Sequence, residues 1–121
     1  MSIINFTNHP SDMWDDEQRD AALAYGEIID VQFPDIEATL DEYKIERLAE
    51  EYVDKIVEMH PSAVICQGEF TFVYAVVNLL RVHGIHVFAA CSKRQATQTL
   101  LPDGSTKKAA IFKFVRFREY K

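Results

Sequence analysis

A chain of 121 residues, 48% of them hydrophobic, is long enough to bury one sizeable core without metals or crosslinks and leaves no room for a second domain. The amino terminus has no basic lead or long apolar stretch of a secretory signal, and no apolar run reaches the length of a membrane span. Its two cysteines, Cys66 and Cys91, fall inside apolar strand-like runs, where a thiol packs as a small hydrophobe, so the expectation is a cytoplasmic protein of a reducing compartment with no membrane association.

The net charge of −6 conceals a polarity along the chain. Residues 1–60 carry four Lys/Arg against sixteen Asp/Glu, and residues 61–121 carry nine against three. Such a division suits a basic ligand-facing surface on an acidic protein, a self-complementary dimer, or acidic helices that serve solvation alone. Long duplex nucleic acid is not expected as a partner, because no dense cationic stripe exists to displace many counterions.

In chain order, Ile3 to Phe6 reads as a first strand, followed by the polar turn Thr7-Asn8-His9-Pro10-Ser11. A short helix comes next. Asp15 and Asp16 suit its N-terminus, Ala21, Ala22, Leu23 and Tyr25 continue it, and Gly26 stops it. Ile28 to Phe33 is the second strand, ended by Pro34 and an acidic loop through Asp41. From Lys44 to His60, Ile45, Leu48, Ala49, Tyr52, Ile56 and Met59 line one helical face, and Pro61 bars continuation.

Ala63 to Cys66 is short and wholly apolar, as a central parallel strand covered on both sides requires. Phe70 to His83 is apolar nearly all round, so this helix is buried on more than one side or meets a partner; Gly84 ends it. Ile85 to Cys91 forms strand four, and Ser92-Lys93-Arg94 is expected to be the loop after it. Gln95 to Leu101 and Lys107 to Phe117 then form a β-hairpin around Pro102-Asp103-Gly104-Ser105 that closes one edge of the sheet. In Ile111 to Phe117 neither face is cleanly polar. The predicted fold is a single α/β domain over 1–121, Rossmann-like and three-layered, with a mainly parallel sheet of about four strands and a C-terminal hairpin.

In an open sheet whose strands, counted in chain order, lie side by side as second, first, third (Ala63 to Cys66) and fourth, ligands bind beyond the carboxyl ends of the strands, where the winding direction reverses between strands one and three. The turns delivered there are Thr7 to Ser11 and Gln67 to Thr71, with Ser92 to Arg94 beside them. Asn8 and Gln67 offer amides for a base or ribose edge, and Gly68 permits close approach to the backbone at a helix start. Lys93 and Arg94 add positive charge for phosphate, Arg as a planar fork. Ser11 can position a ribose hydroxyl and His9 can shuttle a proton. Each has a plainer role available: Ser11 as a helix cap, His9 as a loop residue, and Glu69 as a helix-start carboxylate that repels phosphate. The chain contains no Gly-x-Gly-x-x-Gly, no Walker phosphate loop, no His-Glu-x-x-His and no Cys-x-x-Cys, so the dinucleotide, nucleoside-triphosphate and zinc readings lose their main support. No metal ligand set and no cofactor is expected.

The segments Asn5 to Ser11, Cys66 to Thr71, Cys91 to Arg94 and Phe112 to Tyr120 resemble small CRISPR-associated proteins of the Csx kind, within the CARF-like group of CRISPR-associated Rossmann folds. That resemblance implies a homodimer that binds a cyclic oligoadenylate second messenger of type III CRISPR signalling across its two-fold axis. It also implies metal-independent ring cleavage, with cyclic tetraadenylate the expected substrate: a ribose 2′-hydroxyl attacks the neighbouring phosphate while the protein supplies geometry and charge stabilisation. Carried over by position, Ser11, His9 and Lys93 would serve catalysis, and Asn8, Gln67, Gly68, Glu69, Ser92 and Arg94 would hold the ligand. The alternatives are a non-catalytic sensor or sponge for the same ligands, and a structural subunit using helix 70–83 and the Phe-rich tail.

Overall fold

The computed structural model describes residues 1–121 as strands and helices in the order β1 (Ser2–Phe6), α1 (Asp16–Leu23), β2 (Glu27–Asp30), α2 (Glu42–Glu58), β3 (Ala63–Cys66), α3 (Phe70–Val82), β4 (His86–Leu100) and β5 (Thr106–Glu119), with one turn of 3-10 helix at Ser11–Met13. No helix is long and apolar enough to cross a membrane. The five strands form one sheet ordered β2-β1-β3-β4-β5. β1 pairs in parallel with β2 and β3, β3 pairs in parallel with β4, and β5 returns antiparallel along β4. The chain therefore reverses its winding direction between β1 and β3, as the sequence predicts.

The central strands alternate their side chains between two cores. Ile4, Phe6, Val64, Cys66 and Val87 face α2 and α3, meeting Ile45, Ala49, Val53 and Ile56 on one helix and Phe72, Val76 and Leu80 on the other. Ile3, Ala63, Ile65 and Phe88 face the opposite way, toward Ala22 of α1 and toward Phe114 and Phe117 of β5. Helices α1 and α2 are each started by an aspartate. Asp15 accepts from the Gln18 amide at 2.8 Å, and Asp41 accepts from the Lys44 amide at 2.9 Å, which moves the start of α2 to Glu42 rather than Lys44. Such caps typically stabilise by about 1 kcal/mol.

Two expectations need correction. The second strand ends at Asp30 and not at Phe33, because the β1–β2 pairing stops where Asn5 meets Asp30. Phe33 instead turns over the sheet to stack near Phe6 and Phe72, at ring separations of 5.0 and 5.3 Å. The larger correction is that no loop follows strand four: Ser92, Lys93 and Arg94 continue β4, paired with Phe114, Lys113 and Phe112 of β5. The expected strand and the expected hairpin arm are one strand, so the sheet has five strands and its last two run far beyond the others.

Candidate functional site

The carboxyl ends of β1 and β3 and the middle of β4 and β5 enclose a cavity of about 490 Å³. The turn after β1 contributes Thr7 and His9; Trp14, Asp15 and Gln18 come from the start of α1; Gln67 follows β3; Ala90 and Ser92 come from β4; and Phe112 and Phe114 come from β5. Three aromatic rings thus share one hollow with hydroxyl, amide, imidazole and carboxylate groups.

The floor of this site is a hydrogen-bond network centred on Asn5 and Asp30. Buried Asn5 donates its amide to the His9 carbonyl at 2.8 Å and to the Asp30 carboxylate at 3.0 Å, and its oxygen accepts from the Thr7 hydroxyl at 2.8 Å. Asp30 also accepts from the Ser11 amide at 3.2 Å and the Ser11 hydroxyl at 3.1 Å, while Arg19 donates to the Ser11 carbonyl at 2.7 Å. The turn that carries His9 is consequently held at both ends. A buried amide near the carboxyl end of β1, at Asn5, is the trace this network leaves in the sequence.

A β-bulge shapes the other wall. The register between β4 and β5 shifts at Cys91 and Ser92, so that Arg116 opposes Cys91 but Phe114 opposes Ser92, leaving Val115 as the extra residue. A bulge turns the strand by one residue. Here it brings Phe114 and Phe112 onto the face that Phe117 occupies, although 112, 114 and 117 do not alternate; the Phe114 and Phe117 rings stand 4.9 Å apart.

The predicted site residues divide. His9, Gln67 and Ser92 reach the cavity. Gln67 also serves the sheet, because its side-chain amide pairs with the Ala90 backbone, accepting from the N–H at 2.9 Å and donating to the carbonyl at 3.4 Å. It thereby continues the β3–β4 pairing beyond the end of β3. Arg94 lies one step further out on the ribbon, beside Ala96, Gln98, Lys108 and Ala110. Lys93 is opposite Lys113 in the ladder, whose ammonium is 3.5 Å from Glu17.

Ser11 is engaged with Asp30 and does not line the cavity. Asn8 opens on a separate hollow with Gln32, Phe33, Asp35 and Glu69. Gly68 is explained by packing, since a Cβ there would collide with the Phe33 ring. Glu69 caps α3, accepting from the amides of Thr71 and Phe72 at 3.0 and 2.9 Å and from the Thr71 hydroxyl at 2.7 Å. The Thr71 hydroxyl, followed by the two amides, holds the Glu69 carboxyl below its ordinary range. The α3 N-terminus therefore carries its own anion and offers no phosphate seat.

Met13, Trp14, Asp15, Gln18, Ala90, Phe112 and Phe114 are the lining residues that sequence reasoning missed. No group of three His, Cys, Asp or Glu side chains is placed to hold a metal ion. Burial pushes the Cys66 thiol up to about 12, which keeps it protonated within the core.

The fold and this hollow define an α/β protein with an aromatic, hydrogen-bonding cleft at the carboxyl edge of a mainly parallel sheet. The chain belongs to the Uncharacterized protein MJ1673 family, whose model matches residues 1–118. No curated protein matches it.

Proposed function

We propose that the cleft binds an adenine nucleotide, that the ligand is a cyclic oligoadenylate of the type III CRISPR signalling kind, and that the fold is a Rossmann-like, CARF-like domain adapted to it. The observation that carries this reading is the convergence of Trp14, Phe112 and Phe114 with Thr7, His9, Gln18, Gln67 and Ser92 in one hollow of about 490 Å³. Planar bases stack on aromatic faces, and amides and hydroxyls read their edges. A cleft of this size takes one nucleoside, so a ring of several requires a second copy across a two-fold axis.

Ring cleavage in this setting is attack by a ribose 2′-oxygen on the adjacent phosphorus, with the 5′-oxygen leaving and a 2′,3′-cyclic phosphate formed. His9 is the proton carrier at the cleft. Lys93 and Arg94 follow Ser92 on β4 outside the cleft lining and are the cations of that strand available to a phosphate that extends beyond it. Binding without turnover is the second reading. It is favoured by a specific feature, the lack of any Lys or Arg among the residues that line the cleft, together with the engagement of Ser11 by Asp30.

Incubation of the protein with cyclic tetra- and hexaadenylate in EDTA, with calorimetric titration in parallel, tests both. Linear products that disappear in His9→Ala support the enzyme. Tight binding with intact rings supports the sensor. Absence of binding to either ring overturns the nucleotide reading altogether.

A further inference from the structure

Beyond the cleft, β4 and β5 leave the sheet as a two-stranded ribbon. From Ser92 to Leu100 and from Thr106 to Lys113 every residue is exposed, and at about 3.3 Å per residue the arm extends roughly 30 Å. A ribbon of two strands is at best marginal in water when no third strand or helix covers it. Apolar side chains outside the cleft are nonetheless placed on it: Leu100 is 73% exposed and Ile111 53%. The arm is also where the positive charge of the chain gathers. Lys93, Arg94, Lys107, Lys108 and Lys113 lie between residues 92 and 113, against the single carboxylate Asp103.

The complementary surface lies on the same molecule. Helices α2 and α3 flank a groove of about 580 Å³, lined by Leu40, Ile45, Phe70 and Tyr74 with Glu42 and Glu46 at its rim. Phe70 is 89% exposed and Tyr74 73%. Helix α2, which forms one wall, carries six carboxylates against three cations and is about 25 Å long at 1.5 Å per residue, a length the ribbon matches. Both helices begin at the carboxyl edge of the sheet, the edge from which the ribbon departs.

We propose that the ribbon of one copy docks in the α2–α3 groove of a second copy and the second returns the contact, giving a reciprocal two-fold dimer. Apolar ribbon residues cover Phe70 and Tyr74, and the ribbon cations meet Glu42 and Glu46. Two carboxyl edges face each other in this pairing, and each surface is used once per copy, so the assembly closes at two. The inference stands on the exposed arm and the charge match, and it survives if the cleft binds no nucleotide.

Charge reversal tests it on the full chain. Light scattering should give twice the protomer mass of 13.9 kDa, with dissociation as salt is raised. Lys107→Glu with Lys108→Glu should give a monomer, and so should Glu42→Lys with Glu46→Lys. All four positions are exposed, and circular dichroism checks that each variant is folded. Mixing the two variants recreates opposite charges at both contacts and should restore the dimer. A wild-type monomer at low salt overturns the proposal, as does a dimer that either double variant leaves intact. A monomer whose ribbon variants lose affinity for a single-stranded RNA oligonucleotide also overturns it and assigns the arm to nucleic acid.

Discussion

Replacing Asp30 with Asn tests the network under the cleft. The carboxylate accepts three hydrogen bonds, from Asn5 Nδ2 through one oxygen and from the Ser11 N–H and hydroxyl through the other. Asparagine keeps one oxygen and puts an amide donor where the second stood, so either orientation sets donor against donor. Hydrogen bonds to a charged group contribute about 1.5–3 kcal/mol when sheltered. The two Ser11 contacts are exposed, where water replaces much of the loss, and only the Asn5 contact is partly buried. The expected cost is therefore about 1–3 kcal/mol, a melting temperature lower by roughly 3–15 °C for a chain of this size. Ser11→Ala, which removes only the exposed hydroxyl, should cost under about 1 kcal/mol. Denaturant titration with a shared slope measures both. An Asp30→Asn protein with the wild-type midpoint refutes the reasoning, because the β1 turn would then be held by something other than this carboxylate.

Three further outcomes follow from the packing and caps. Gly68→Ala drives a methyl into the Phe33 ring and should destabilise by about 1–3 kcal/mol, while Phe33→Leu in the same background should recover part of the loss; an unaffected Gly68→Ala melt contradicts the packing role. Glu69 has a folded-state pKa below its ordinary 4.5, so its contribution is present above that value and is lost as the pH falls through the depressed one. Glu69→Gln should therefore flatten the acid limb of the stability profile, and an unchanged limb counts against the cap. With the Cys66 thiol pushed up to about 12 by burial, alkylation of the folded protein at mildly alkaline pH should spare Cys66 until denaturant is added, which peptide mass mapping will show; labelling of Cys66 in the native state would contradict its burial.

Strand order is legible in the sequence because each parallel strand is a short apolar run and each helix repeats at the helical period. Ala63 to Cys66 is wholly buried, and the buried positions of α2 fall at Ile45, Ala49, Val53 and Ile56. The fusion of strand four with the hairpin is hidden for a physical reason. Ser92, Lys93 and Arg94 are polar and two-sidedly exposed, a pattern that reads as a loop when the partner strand is unknown. The trace of the bulge is present all the same: the failure of Ile111 to Phe117 to alternate is what an inserted residue at Val115 produces. Trp14, Phe112 and Phe114 do not stand out in the sequence as cleft residues, because their convergence depends on that register shift and on the Asn5–Asp30 network, both of them long-range.

The distribution of charge ties the cleft to the ribbon. Asp15 lines the cleft and no Lys or Arg does, so under the proposed function one copy alone would meet a polyanionic ring with aromatic faces and amides, and the compensating cations would be those of the arm. If the ring sits between two copies, Trp14 and the ribbon act on different quantities. Trp14→Leu keeps an apolar side chain against α1 and β5 but removes the stacking face, worth about 1–3 kcal/mol per base, and should weaken ring binding roughly tenfold or more without changing the mass in solution. Lys107→Glu with Lys108→Glu should lower the mass and the ring affinity together, although neither residue lines the cleft. Ring affinity preserved in that monomer would show that a single copy completes the site, and the cationic arm would then serve association alone.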